Sequence, residues 1–207
     1  MSNPEPEIYV YKIVADNGGA PCITGNLLSL AICKPKIRKS AGKGSLIFGF
    51  GGKEYQERLI YIARVTDKLE RQDYYQQPVY ARRADCIYRV EKGRAERKAS
   101  ARYHVNSDEL QKDVGLHFEN AFVLLSNDFR YLGNMGTNDY KERYPKIQAL
   151  IENLTQGHRR YHSTELREEL LALKTEIWSS YRRMEVGSPT DEDFTRLCNG
   201  ESASADC

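Results

Sequence analysis

Leu46-Ile47-Phe48-Gly49-Phe50-Gly51-Gly52, followed by Leu59-Ile60-Tyr61-Ile62-Ala63-Arg64-Val65, is the stretch that decides the fold. Two continuous apolar runs, joined by a short polar segment that opens on glycines, read as paired strands buried on both faces. Working outward, Ile8 to Ala15 alternates and is rich in Ile, Val and Tyr, which gives a first strand ending at the Asn17-Gly18-Gly19 turn. Leu27 to Cys33 is apolar but short, and its pattern suits either a buried strand or one to two helical turns before Pro35. Residues 68 to 80 read as a short helix and loop. Cys86 to Val90 and Ala121 to Leu125 read as strands, the latter continued by Tyr131-Leu132 after the Asn127-Asp128 turn.

Beyond Gly136 the period becomes helical. Pro145 suits a first helical position, Ile147, Leu150, Ile151 and Leu154 follow at helical spacing, and Gly157 supplies a stop. Ser163 caps a second helix whose apolar face is Leu166, Leu170, Leu173, Ile177 and Tyr181. The expected fold is α+β: a mixed, strongly curved sheet or small barrel with two C-terminal helices packed against it. Residues 1–183 form one domain in this reading, and 184–207 an acidic, flexible tail.

The 207 residues are 40% hydrophobic and 29% charged, too apolar for a disordered chain and too polar for a membrane protein. No apolar run approaches the length of a membrane span, and the MSNPEPE start lacks the basic and apolar regions of an export leader, so a cytoplasmic location is expected. Five cysteines without a CxxC pair fit a reducing compartment better than a disulfide framework.

The net charge of +2 hides strong segregation. Residues 17 to 53 hold six basic residues and no acid, for +6; residues 82 to 102 hold eight against three acids, for +5; residues 185 to 207 hold one against six, for −5. An anionic ligand meets local charge and not the sum. Pro35 biases Lys34 toward extended backbone, so Lys34, Lys36 and Arg38 at alternating positions would share one phosphate-binding face. Arg38 offers a fork to phosphate oxygens and the lysines mobile point charges. His158 and Arg159, just before the last helix, supply a second phosphate position.

Around the second basic block, Asp85, Cys86, Tyr88, Tyr103 and His104 bring a carboxylate, a thiol, phenols and an imidazole, a set suited to hydrogen-bonding and stacking on a base. The same set holds an acid–base pair, with His104 as acid or base and Asp85 orienting it. Cys33 is then a nucleophile or a structural thiol.

Several chemistries are excluded. Ala41-Gly42-Lys43-Gly44 lacks the upstream glycine and following Ser/Thr of a phosphate loop, and Glu54 stands where a dinucleotide fingerprint needs its third glycine. His117-Phe118-Glu119 matches half of a deaminase signature whose P-C-x-x-C partner is absent. There is no G-x-S-x-G elbow and no H-E-x-x-H helix, and neither a metal nor a cofactor is expected.

Taken in order, the Tyr9 to Pro21 strand and loop, Cys33-Lys34-Pro35-Lys36-Ile37-Arg38, Gly44 to Gly51, Arg58 to Val65, Asp85-Cys86-Ile87-Tyr88, Tyr103-His104, Asn120 to Gly133 and Gly157-His158-Arg159 resemble the nucleotide modification associated domain 2 group of bacteria and phages. Cys86 and Phe50 depart from the family pattern, where Asn and a small polar residue are usual. The resemblance implies association with systems that make or respond to hypermodified DNA bases, with DNA or a modified nucleotide as partner. A looser likeness to PUA and EVE modified-base readers lies in the Gly-rich strand pair and suggests a PUA-like barrel. Together these readings give Lys34, Lys36, Arg38, Gly49, Gly51, Arg64, Tyr88, His158 and Arg159 as nucleotide-binding residues, and His104, Asp85 and Cys33 as catalytic ones if the domain is an enzyme. A third reading, an interaction module whose basic blocks meet an acidic tail, stands beside them.

Overall fold

The computed structural model describes residues 5–105, 107–155 and 157–191. Its strands are β1 (Ile8–Ile13), β2 (Cys22–Thr24), β3 (Leu27–Leu30), β4 (Leu46–Gly51), β5 (Leu59–Arg64), β6 (Asp67–Glu70), β7 (Tyr88–Glu91), β8 (Arg94–Arg97), β9 (Phe122–Ser126), β10 (Asp128–Tyr131) and β11 (His158–Arg159). The helices are α1 (Pro35–Ser40), α2 (Asp73–Gln76), α3 (Ser107–Asp113), α4 (Tyr140–Arg143), α5 (Pro145–Asn153) and α6 (Thr164–Ser180).

The two glycine-joined runs do pair. β4 and β5 are antiparallel, with a register irregularity at Gly49/Phe50, and sit at the middle of a five-stranded sheet ordered β10-β5-β4-β1-β11. β1 lies parallel to β4, Ile8 opposite Leu46 through Ile13 opposite Gly51. A parallel pair needs a long crossover, and residues 14–45 supply it while contributing β2, β3 and α1. A second sheet, β2-β3-β9-β6, is antiparallel, and β7-β8 is a separate hairpin.

Alternation along β1 and β4 divides the core into two. Ile8, Val10, Leu46, Phe48 and Phe50 face α5 and α6, where Ile147, Ile151, Leu170, Leu173 and Ile177 pack. Tyr9, Tyr11, Ile13 and Ile47 face the other way, into a cluster with Leu28, Leu30, Val123 and Leu125 of the second sheet. The result is helices on one side of the central sheet and a second sheet on the other. Pro145 occupies the first turn of α5, and the Ser163 side chain accepts from Leu166 N–H at the start of α6, as the sequence led one to expect.

Four expectations change. The α+β class and the helix pair hold, but among the described residues the strands divide among three sheets and none closes into a barrel. Residues 67–70 are strand before the short helix at 73–76. Residues 35–40 are helical, not extended, because proline, lacking an N–H, suits a first helical turn. Residues 184–191 join the packed unit: Tyr131 N–H donates to Met184 O, Val186 N–H to Tyr131 O, and Asp191 N–H to Asp16 O. Residues 192–207, the remainder of the expected tail, lie outside those described. Among the described residues no helix is long and apolar enough to cross a membrane.

Candidate functional site

The chain leaves β3 and turns sharply at Cys33 and Lys34, both with left-handed backbone (φ 56° and 45°), before α1 begins at Pro35. That conformation is costly for residues bearing a Cβ, and several bonds hold it. Cys33 N–H donates to Asp113 Oδ1 at 3.0 Å. Arg38, one turn into α1, returns its Nε to Cys33 O at 2.6 Å. The rest of the Arg38 guanidinium donates to Phe122 O, Asp113 O and Asp113 Oδ1.

Asp113, the last residue of α3, is the hub. Its Oδ2 lies 2.5 Å from His104 Nδ1 and accepts from Tyr88 OH at 2.9 Å. The other imidazole nitrogen, Nε2, faces Cys33 Sγ at 3.2 Å. His104 is itself left-handed, φ 52°. A thiol position, an imidazole and a carboxylate thus stand in line, with an arginine and a tyrosine fixing the carboxylate. Cys33 is disulfide-bonded, so the expectation of reduced cysteines does not hold there; Cys22 and Cys86 are free and buried.

Lys34 is half-buried, its Nζ 5.0 Å from the Tyr11 ring centroid, and burial pulls its ammonium down to about 8. Tyr11 OH meets Tyr61 OH at 3.0 Å. At the end of the same sheet Tyr131 OH donates to buried Asp16 at 2.7 Å, whose carboxyl is held above the usual range by burial.

The residues named from sequence are placed as follows. Cys33, His104 and Tyr88 come together, but Asp85 does not join them. Its carboxylate accepts from Ser29 Oγ at 2.5 Å and Tyr74 OH at 2.7 Å, with Arg83 Nε at 3.7 Å, and burial holds it above the usual range. Asp85 ties the 74–86 segment to β3; Asp113 holds the imidazole. Nothing in the sequence singles out Asp113, nine residues past His104 at the end of a helix.

The three cations of the 34–38 stretch do not share a face. Arg38 is fully buried and is spent on carbonyls and Asp113, Lys34 turns toward Tyr11, and Lys36 alone is exposed. Near it, Tyr11 pairs with His158 and Val10 with Arg159 across β1 and β11. Burial first, then Lys36 and Arg160, lowers the His158 pKa. Arg64 lies elsewhere, 3.1 Å from Asp128, an oxygen of which also accepts from Trp178 of α6. Gly49 and Gly51 serve packing: a Cβ on Gly49 would stand 2.3 Å from the Tyr61 ring, and one on Gly51 2.5 Å from Tyr55 Cβ.

The second basic block surrounds a cavity of about 520 Å³ lined by Arg82, Arg83, Lys98 and Arg102, with Cys86, Ile87 and Tyr103 among its other walls. Arg82 and Arg102 are exposed. Arg83 is committed inward to Ser29 Oγ and Cys22 O, and Lys98 Nζ touches Ala81 O and Cys86 Sγ. Tyr103 OH is fixed by Asn17 O at 3.0 Å.

Neither a curated protein nor a solved structure matches the chain. Residues 5–196, nearly the whole length, match the family model described as nucleotide modification associated domain 2. That span includes the Cys33 turn, the basic block and the Asp113 hub. The chain belongs to the nucleotide modification associated domain 2 family, and its role lies in nucleotide modification.

Proposed function

We propose that the chain binds a target or modified nucleotide in the cavity of the second basic block. The observation that carries this is the lining itself: four cationic side chains around about 520 Å³, a size within the range of small-ligand sites. Arg82 and Arg102, exposed at the cavity, meet the phosphate, Arg by its planar fork. Ile87 and Tyr103 offer an apolar wall and a ring to the base. The phosphate site of this reading is therefore the 82–102 block, since Arg38 is spent in the interior.

The test is equilibrium binding of nucleoside monophosphates and short single-stranded oligonucleotides, plain and base-modified, across a salt series. Binding is expected to weaken with salt and to differ between modified and plain bases. No binding at low salt, or binding unchanged in Arg82→Ala/Arg102→Ala, would remove the reading.

A further inference from the structure

We propose that Cys33, His104 and Asp113 form a nucleophilic triad and that the chain, once Cys33 is reduced, transfers acyl groups through the Cys33 thiol. The inference does not rest on nucleotide binding. It rests on the line of contacts from Sγ to Nε2 at 3.2 Å and from Nδ1 to Oδ2 at 2.5 Å. A nucleophile within reach of a base, with the base oriented by a third group, is the arrangement that activates a thiol. Asp113 accepts the Nδ1 proton and so turns the basic nitrogen toward sulfur. The same carboxylate also holds the backbone N–H of Cys33, so one side chain positions both reacting partners.

The surroundings distinguish this sulfur from the others. All three sulfurs are buried, and burial pushes Cys22 up to about 12 and also raises Cys86; what sets Cys33 apart among the described residues is that its sulfur meets an imidazole. Three left-handed residues, Cys33, Lys34 and His104, converge on the place where, among the described residues, an imidazole meets sulfur. Such conformations persist when surrounding structure over-determines them, and they gather at working sites. Among the described residues, Asp113 and Glu109 face the imidazole, Glu109 Oε2 at 3.7 Å from Nδ1; Arg38 and Tyr88 lie against Asp113.

The disulfide at Cys33 caps this nucleophile. A dithiol reductant supplies the two electrons and two protons that return both sulfurs to thiols, and itself becomes a disulfide. Nε2 then takes the Sγ proton as sulfur bonds to the acyl carbon. The carbonyl electrons move to oxygen and return as the leaving group departs with the proton from Nε2. Water, giving a proton to Nε2, attacks the thioester; the acid is released, and sulfur recovers the proton.

The probe is p-nitrophenyl acetate, added to the full chain after treatment with dithiothreitol and removal of the reductant. A burst of one nitrophenolate per chain is expected, with one acetyl group mapped to Cys33 by peptide mass spectrometry. His104→Gln, checked for an unchanged circular dichroism spectrum, should slow Cys33 acetylation at neutral pH by about 100-fold, and the unreduced chain should give no burst. Iodoacetamide labelling of Cys33 in the same two proteins reads thiol activation without the acyl step. Acetylation at Cys22 or Cys86 in place of Cys33, equal Cys33 reactivity in His104→Gln, or a burst without reduction would each overturn the proposal.

Discussion

Arg38 and Asp113 meet in the interior, Nη2 3.4 Å from Oδ1, with neither side chain reaching solvent. The guanidinium also satisfies three carbonyls, those of Cys33, Phe122 and Asp113. Burying two charges is offset only when the geometry satisfies both, and here the pair fastens α1 to the end of α3 and the start of β9.

Removing the cation leaves Asp113 and three carbonyls short of donors. Arg38→Ala is expected to cost about 3–5 kcal/mol of stability, read by urea unfolding. Lys36→Ala, two residues away and exposed, should stay within about 0.5 kcal/mol. Equal losses in the two variants would contradict the structural role of Arg38.

Gly49 is required for the Tyr61 ring. A methyl group there would sit 2.3 Å from Cε1 of Tyr61 and 2.8 Å from Cδ1 of Ile13, both in packed core. Gly49→Ala should destabilise by about 1–3 kcal/mol through overpacking. Gly42, which has nothing within 4 Å of the added atom, should accept Ala with little change. Thermal unfolding of the two variants decides between a packing glycine and a ligand-facing one.

Lys34 gives a pH signature. Its folded-state pKa of about 8 lies below the ordinary value of 10.5, because burial disfavours the ammonium. Below about 8 both states are protonated and folding carries the desolvation cost. Between about 8 and 10.5 the unfolded chain holds more protons, so this group makes stability rise with pH across that window. Lys34→Met should remove the rise and leave the protein more stable at neutral pH. Denaturant midpoints for both proteins at several pH values provide the measurement, and parallel curves would refute the assignment.

Nucleotide binding separates two cationic sets. Arg82→Ala and Arg102→Ala should each weaken binding and lower the salt slope by about one. Lys36→Ala and Arg159→Ala should leave both quantities unchanged. Titrations in a salt series test all four, and the opposite ranking would move the phosphate site to the β1–β11 edge.

The central strands were legible because β4 and β5 are buried on both faces and read as continuous apolar runs. The last two helices were legible because Pro145 and Ser163 mark their starts at the level of single residues. The turn at Cys33-Lys34 was not. Pro35 restricts the residue before it and equally suits a first helical position, and the fold took the second property. With that, the alternating face of Lys34, Lys36 and Arg38 dissolved and the phosphate reading of Arg38 with it. His104 and Cys33 stood out as rare residue types, but their orienting carboxylate did not. Asp85 and Asp113 are equally plausible by composition, and only tertiary packing assigns one to Ser29 and Tyr74 and the other to the imidazole.

A chain ending at Arg183 should melt about 2–8 °C lower than one ending at Asp191, the shift that 1–2 kcal/mol produces at this length. The lost contacts are those of Met184 and Val186 with Tyr131, and of Thr190 and Asp191 with Asp16. Equal melting temperatures would show that residues 184–191 add nothing to the domain.

Asp16 also sets a schedule for synthesis. Thr190, which supplies both an amide and a hydroxyl to its carboxylate, and Asp191, which exchanges backbone and side-chain bonds with it, are made 174 and 175 residues after it. A carboxylate made early therefore waits for a distant stretch of polypeptide, and this closure is among the most non-local of the described residues. Folding that depends on such distant pairings is slow, so the Asp16 end of the central sheet stays unsealed until Thr190 and Asp191 can reach it.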